Sequence, residues 1–148
     1  MTIHDTVTDQ QVTTMNRFLR GERAAVETYS RSIARMDQVP PELFEARRLH
    51  IERVDLLSRH VWKLGADPDL DSGYWGSFAN VMTTIAAAIG DGSALMVLEQ
   101  GETMGTDDYL DGLTDLPEPS RGLLKDEILP RQHKSQVIIG TLRERTAQ

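Results

Sequence analysis

The chain of 148 residues is 39% hydrophobic and 26% charged, carries a formal net charge of −7 and has a pI near 5.0. It contains no cysteine, which excludes disulfides, thiol catalysis and iron–sulfur clusters. Because it shows neither a basic patch nor a long apolar run, we expect a soluble, cytoplasmic protein that binds neither nucleic acid nor membranes.

Apolar residues recur at helical spacing along most of the chain, and no segment shows the sustained alternation of a β-strand. We therefore predict an all-α fold, with bounds set by capping residues, prolines and glycines. Residues 1–8 are predicted to form a flexible tail, and a single domain over 9–148 to contain helices over 9–37, 41–64, 74–89, 93–115 and 120–145. Pro130 should kink or split the last of these helices.

Two distant segments share one pattern, in which Gly is followed by Glu and then, seven residues after the Glu, by Tyr. The pattern occurs at Gly21-Glu22…Tyr29 and again at Gly101-Glu102…Tyr109. Seven residues make about two helical turns, so each Glu shares a helix face with its Tyr. Around Glu22 that face is an apolar heptad seam, formed by Val12, Met15, Leu19, Val26, Tyr29, Ile33 and Met36. Both carboxylates are therefore predicted to point inward, where a charge must be paired, protonated or bound to a metal.

The second helix of each predicted hairpin carries a histidine, His50 in the first hairpin and His133 in the second. Arg47 lies one turn before His50 on the same predicted face. Glu102 and His133 are equidistant from the turn between the last two helices, so they should meet across the second hairpin.

The first hairpin is less regular. Reflection through the turn near Gln38 places Glu22 level with Val54 and Asp55 rather than with His50. Three further carboxylates are therefore kept as reserve ligands: Glu52, Asp55 and Glu99.

Residues 66–92 are too many for a turn between the second helix and the helix predicted over 93–115. They can instead span the length of a bundle. We therefore predict a four-helix bundle made of two αα-hairpins joined by a helical crossover. The alternative is an up-down bundle with an extra helix packed across one end.

The repeated Glu-x6-Tyr resembles the motif of ferritin-like proteins such as bacterioferritins and rubrerythrins. The segments GERAAVETY and SGYWGSF, together with the duplicated motif, are similar to a bacterial group of ferritin-like proteins of unassigned function, and the resemblance covers residues 12–142. It implies a ferritin-like bundle with metal ligands at Glu22, His50, Glu102 and His133, and with hydrogen-bonding tyrosines behind them at Tyr29 and Tyr109.

The chain departs from this family at the bridging carboxylate, which should stand three residues before each histidine. Arg47 and Pro130 occupy those positions. Two carboxylates and two neutral imidazoles suit one divalent ion, Fe, Mn or Zn, rather than a pair. Because Arg47 opposes even that charge, the alternative is a site without metal in which Arg47 neutralises Glu22.

Two functions follow from this reading. The first is a metal-binding protein with a role in iron or oxidative-stress handling. The second is a non-enzymatic, metal-free bundle that serves as a stress-associated structural or protein-interaction module. The sequence does not decide whether the protein is an enzyme and identifies no substrate, and a homodimer is a further expectation. Gly21 and Gly101 are expected to allow close approach of helices, and His60 to face solvent.

Overall fold

The computed structural model describes residues 3–73, 80, 83–84 and 90–147. This part of the chain is helical and contains no β-strand, which confirms the all-α prediction. The helices are α1 (Ile3–Arg35), α2 (Glu42–Lys63), α3 (Asp91–Leu113), α4 (Ser120–Leu123) and α5 (Leu129–Thr146). Most bounds lie within two residues of the predicted ones. The exception is the start of α1, because residues 3–8, predicted as a tail, continue this helix.

A π-helical segment, Leu124–Ile128, connects α4 to α5 and stands directly before Pro130. Proline has no backbone N–H to donate, and its ring crowds the preceding turn of an α-helix. A π turn inserts one extra residue and changes which backbone groups must pair. The interruption predicted at Pro130 therefore takes the form of this π segment, and it shifts which residues of α5 face inward.

The helices enclose a common interior, since α1 and α5 each pack against both α2 and α3. The order of contacting residues shows that these neighbours are antiparallel: Glu42–Arg145 and His60–Ser120 beside α2, Tyr29–Glu102 and Glu22–Tyr109 between α1 and α3. It follows that α2 and α3 run parallel to each other.

The connection from α2 to α3 joins opposite ends of this assembly. Just after α2, the Asp69 N–H donates to Asn16 Oδ1 in the N-terminal half of α1, at 2.9 Å. At the start of α3, Asp91 accepts hydrogen bonds from the backbone N–H groups of Asp37 and Gln38, beyond the end of α1. The chain thus travels the length of the helices between these points. The helix predicted over 74–89 falls almost entirely outside the described residues.

Two large apolar clusters occupy the interior of the described helices, one toward each end, and a small third one contains Ala94 and Val97. The first contains residues such as Met15, Leu19, Leu57 and Ile128, and the second contains residues such as Leu43, Leu95, Ile139 and Leu142. A layer of buried polar side chains lies between them and is described below. No described helix is both long and apolar enough to cross a lipid bilayer.

Candidate functional site

Six buried polar residues from four helices form a layer between the two apolar clusters. We call them the polar layer: Glu22 of α1, His50 and Arg53 of α2, Glu102 of α3, and Gln132 and Ser135 of α5. The two residues from α2 and the two from α5 are each three positions apart, so they lie on one face of their helix and meet the single carboxylates of α1 and α3. Such a layer is costly unless its members satisfy one another.

The two copies of the Glu…Tyr repeat pair across the molecule. Tyr29 Oη donates to Glu102 Oε1 at 2.6 Å, and Tyr109 Oη donates to Glu22 Oε1. Each tyrosine therefore serves the carboxylate of the other repeat rather than its own. Both hydroxyls are buried next to a carboxylate, and burial together with this negative charge raises the pKa of each tyrosine well above 10.0.

His50 lies between the two carboxylates. Its Nδ1 is 2.6 Å from Glu22 Oε2, and its Nε2 is 2.6 Å from Glu102 Oε1. An imidazole can donate from both nitrogens only when it is protonated. Burial lowers the pKa of His50 and Arg53 lowers it too, but the two facing carboxylates outweigh these effects and the pKa is raised from 6.5. His50 is thus held toward its positive form.

Arg53 supplies the second positive charge and is 0% exposed. Its Nε donates to Glu22 Oε1 at 2.7 Å, and its Nη2 donates to Ser135 Oγ at 3.2 Å. The same Nη2 is 2.6 Å from His50 Nδ1, so Arg53 and His50 are in direct contact beside Glu22, each on a different carboxylate oxygen. Nη1 has no hydrogen-bond partner in the described part of the chain and is the least satisfied donor of the layer.

Ser135 and Gln132 supply the remaining hydrogen bonds to Glu102. Ser135 Oγ donates to Glu102 Oε2 at 2.8 Å, and Gln132 Nε2 donates to the same oxygen at 3.0 Å and to the Glu102 carbonyl at 2.9 Å. Every carboxylate oxygen of the layer therefore has a donor. Burial by itself raises the pKa of both carboxyls, but these donors and the neighbouring positive charges outweigh it. The pKa of Glu22 is therefore lowered to about 2, and that of Glu102 is lowered from 4.5.

No protein-family model, curated protein or solved structure matches this chain. The site is therefore interpreted from its own chemistry. Within the described residues, no group of three or more histidines and carboxylates is arranged to hold a metal ion. The two positive groups among the carboxylates, His50 and Arg53, account for this chemically.

The structure brings together five of the residues singled out from the sequence: Glu22, Tyr29, His50, Glu102 and Tyr109. Two others lie elsewhere, so these predictions are wrong. His133 is exposed on α5, where its neighbours Gln132 and Ser135 face inward instead. Arg47 donates from Nη1 to Ser30 at 3.4 Å and stacks over Phe44, with 5.4 Å between its Cζ and the ring centroid.

The reserve carboxylates also lie outside the layer. Each forms an ion pair nearer the surface: Glu52 with Arg48, Asp55 with Arg59 and Glu99 with Arg143. These contacts make them part of the solvated faces of the helices and not ligands of an interior group.

Arg53 was missed because two adjacent stripes of α2 both have heptad spacing. The stripe through Arg47, Val54 and Val61 looks more apolar, but only Val61 of these three is buried, whereas Ala46, His50, Arg53 and His60 are all buried. A sequence signal existed, since Arg53 stands three residues after His50 on one helix face. Regular helical spacing does not predict that Gln132 and Ser135 face inward, because the π segment adds an extra residue to the turn before them.

His60 belongs to a smaller polar cluster near the start of α1, so the prediction that it faces solvent is wrong. Its Nε2 lies 2.8 Å from Ser120 Oγ, which donates to Gln11 Oε1 at 2.5 Å. Burial and the nearby Lys63 lower the pKa of His60 below 6.5. The three side chains satisfy one another, which favours a structural role.

A cavity of about 100 Å³ lies between α1 and α3, beside the polar layer. Its floor includes Glu22, Tyr29, His50, Glu102, Tyr109 and Gln132, and its walls are mainly apolar. Exposed residues such as Gln100 and Met104 lie on its rim, so the cavity reaches the surface.

Both glycines of the repeat line this cavity. A Cβ atom at Gly21 or Gly101 would meet no described atom within 4 Å. The prediction that these glycines allow close helix approach is therefore wrong. The absence of a side chain at these positions leaves open space beside the carboxylates of the repeat.

Proposed function

We propose that this chain is a metal-free, ferritin-like bundle that acts as a binding module and not as a redox enzyme. One observation carries the proposal: the guanidinium of Arg53, with no exposure, lies among the carboxylates that would otherwise hold a metal ion. Arginine is permanently charged and cannot ligate a metal.

The helix arrangement supports the ferritin-like part of the proposal. Ferritin-like bundles consist of two antiparallel helix pairs with one long crossover, and their sites are built from all four helices at mid-bundle. Here α2 and α3 are parallel, the segment between them joins opposite ends, and the polar layer draws on α1, α2, α3 and α5.

The ligand positions support the metal-free part. The di-metal pattern has a Glu on each of two helices and Glu-x-x-His on each of the other two. Glu22 and Glu102 retain the first feature, whereas the other two helices present His50-x-x-Arg53 and Gln132-x-x-Ser135. Four of the six ligand positions thus carry residues that hydrogen-bond to the carboxylates instead of bridging ions.

Charge balance leads to the same conclusion. The negative charges of Glu22 and Glu102 are balanced by Arg53 and by His50, whose pKa these carboxylates raise. A divalent ion added to this layer would be a buried, uncompensated charge, which is strongly unfavourable. The role of the layer is therefore to hold four helices in register around the cavity.

The proposal is tested by the metal content of protein purified without chelator or affinity tag. We expect less than ~0.1 equivalent of Fe, Mn or Zn per chain, since a functional site holds near-stoichiometric ion. Glu102→Ala should leave that content unchanged. A positive control restores Glu-x-x-His on both helices, by His50→Glu, Arg53→His, Gln132→Glu and Ser135→His.

Near-stoichiometric metal in the natural protein, lost in Glu102→Ala, would overturn the proposal in favour of metal binding. The stress-associated role implied by the sequence resemblance stays a prediction.

A further inference from the structure

We propose that the cavity between α1 and α3 binds a small uncharged molecule with an apolar body and one hydrogen-bond donor, which Gln132 Oε1 accepts. This inference rests on the proposed function only in that no metal ion occupies the polar layer.

Gln132 provides the recognition atom. Its side chain lines the cavity and is 1% exposed. The two hydrogen bonds from Nε2 to Glu102 fix the orientation of the amide, because both acceptors there are oxygens. Oε1 is left buried without a hydrogen-bond partner in the described part of the chain. A buried acceptor without a donor is unfavourable, so a ligand that supplies the donor is selected over one that does not.

The rest of the floor argues against a charged ligand. Every carboxylate oxygen of Glu22 and Glu102 already accepts from a protein donor, and both hydroxyls of Tyr29 and Tyr109 are directed at those carboxylates. Arg53 and His50 balance the negative charges. Asp108, which also lines the cavity, pairs with Arg17 at 3.3 Å. A cation or an anion in the cavity would therefore lose its hydration without gaining a free counter-charge.

The walls define the apolar body. Side chains such as Phe18, Ala25, Val97, Leu98 and Met104 surround the space. Its volume of about 100 Å³ is somewhat smaller than the ~150 Å³ of an apolar cavity known to bind benzene. A single ring that enters from the rim, with its donor toward Gln132, fits this description.

Phenol and toluene form a matched probe pair, because they differ only by a hydroxyl in place of a methyl group. Binding of each is measured by NMR titration or calorimetry on the full chain. We expect phenol to bind more tightly than toluene, although toluene is the more hydrophobic of the two. In Gln132→Met the order should reverse, with the ratio of the two affinities falling about tenfold for the loss of one hydrogen bond. Toluene binding that persists in this variant shows that the variant is folded.

The location is tested at the rim. Gly101→Leu projects a side chain over the cavity and should abolish binding of both probes. Gly140→Leu on α5 is the matched control, because a Cβ there also meets no described atom within 4 Å and Gly140 does not line the cavity. Its affinities should equal those of the natural protein.

Equal affinities for phenol and toluene in the natural protein would overturn the role of Gln132. Absence of binding for both, or loss of binding in Gly140→Leu as well as Gly101→Leu, would overturn the cavity as the site. Metal content measured on the same preparation reports separately on the proposed function, so the two failures are distinguishable.

Discussion

Arg53 carries a permanent charge among the buried carboxylates of the polar layer, and its burial makes this charge energetically decisive. Its Nε lies 2.7 Å from Glu22 Oε1 and its side chain is fully shielded from water. Forming such a buried pair contributes little net stability, because both ions lose their hydration. Removing one partner is different, since the remaining charge then stays buried and unpaired.

We therefore expect Arg53→Met to lower the free energy of unfolding by about 3–5 kcal/mol. Arg48→Met on the same helix is the matched control, because Arg48 is exposed and pairs with Glu45 and Glu52, which are partly exposed. Surface pairs of that kind contribute about 0–1 kcal/mol. Urea unfolding followed by circular dichroism measures both variants.

A second substitution separates charge from packing. Adding Glu22→Gln to Arg53→Met removes the unpaired carboxylate and should restore part of the lost stability. If Arg53→Met and Arg48→Met lower the free energy of unfolding equally, or if the double variant recovers no stability, Arg53 does not compensate the charge of Glu22.

The residues that form the polar layer are selected by local features of single helices, and not by the overall helix propensity of the sequence. The π segment Leu124–Ile128 changes the register of α5, and the inward residues after it are Gln132, Ser135 and Ile139. On α3, glycine has two separate uses. Gly101 keeps space open beside the cavity, whereas Gly112 faces Phe18, where an added Cβ would lie 2.5 Å from the ring Cζ.

These uses predict opposite effects of the same substitution. Gly101→Ala should raise the free energy of unfolding by up to about 1 kcal/mol, because alanine is the better helix former and its Cβ meets nothing. Gly112→Ala should lower it by roughly 1–3 kcal/mol, because Phe18 is 2% exposed and packs on Tyr109 with ring centroids 4.8 Å apart. Thermal or urea unfolding of the two variants side by side checks the signs, and the same sign for both would contradict this explanation.

In the described part of the molecule, a polar layer with titratable groups separates the two large apolar clusters, so stability is linked to pH. His50 has a raised pKa, so its contribution is fully present below 6.5 and is lost as the pH rises through its pKa in the folded protein. Glu22 has a lowered pKa, so its contribution is present above 4.5 and is lost as the pH falls toward about 2. His60 has a lowered pKa and loses its contribution as the pH falls below 6.5.

Stability should therefore be greatest near pH 6.5 and decline on both sides. Urea midpoints measured from about pH 4 to 9 test this expectation for the natural protein. His50→Gln should flatten the decline above pH 6.5, because it removes the group that titrates there. His60→Gln is the control, since it should leave the alkaline decline in place and reduce only the acidic one. If stability declines above pH 6.5 in His50→Gln as it does in the natural protein, a group other than His50 causes the decline.

The sequence by itself determined the helical class, most helix bounds and the inward direction of the two Glu…Tyr pairs. Heptad spacing fixes which side of α1 and α3 is apolar, and a Glu in that seam must face inward with its Tyr. It also determined that residues 66–92 are long enough to join opposite ends of the bundle. These features depend on periodicity and length, which one sequence displays directly.

Only the tertiary structure decided which arginine and which polar residues meet those carboxylates. On α2 the stripes through Arg47 and through Arg53 have the same heptad spacing, and packing against α1 and α5 selects the second. On α5 the π segment turns Gln132 and Ser135 inward and leaves His133 exposed. A choice between adjacent helix faces, or a one-residue change of register, depends on contacts with other helices, and local periodicity does not contain that information.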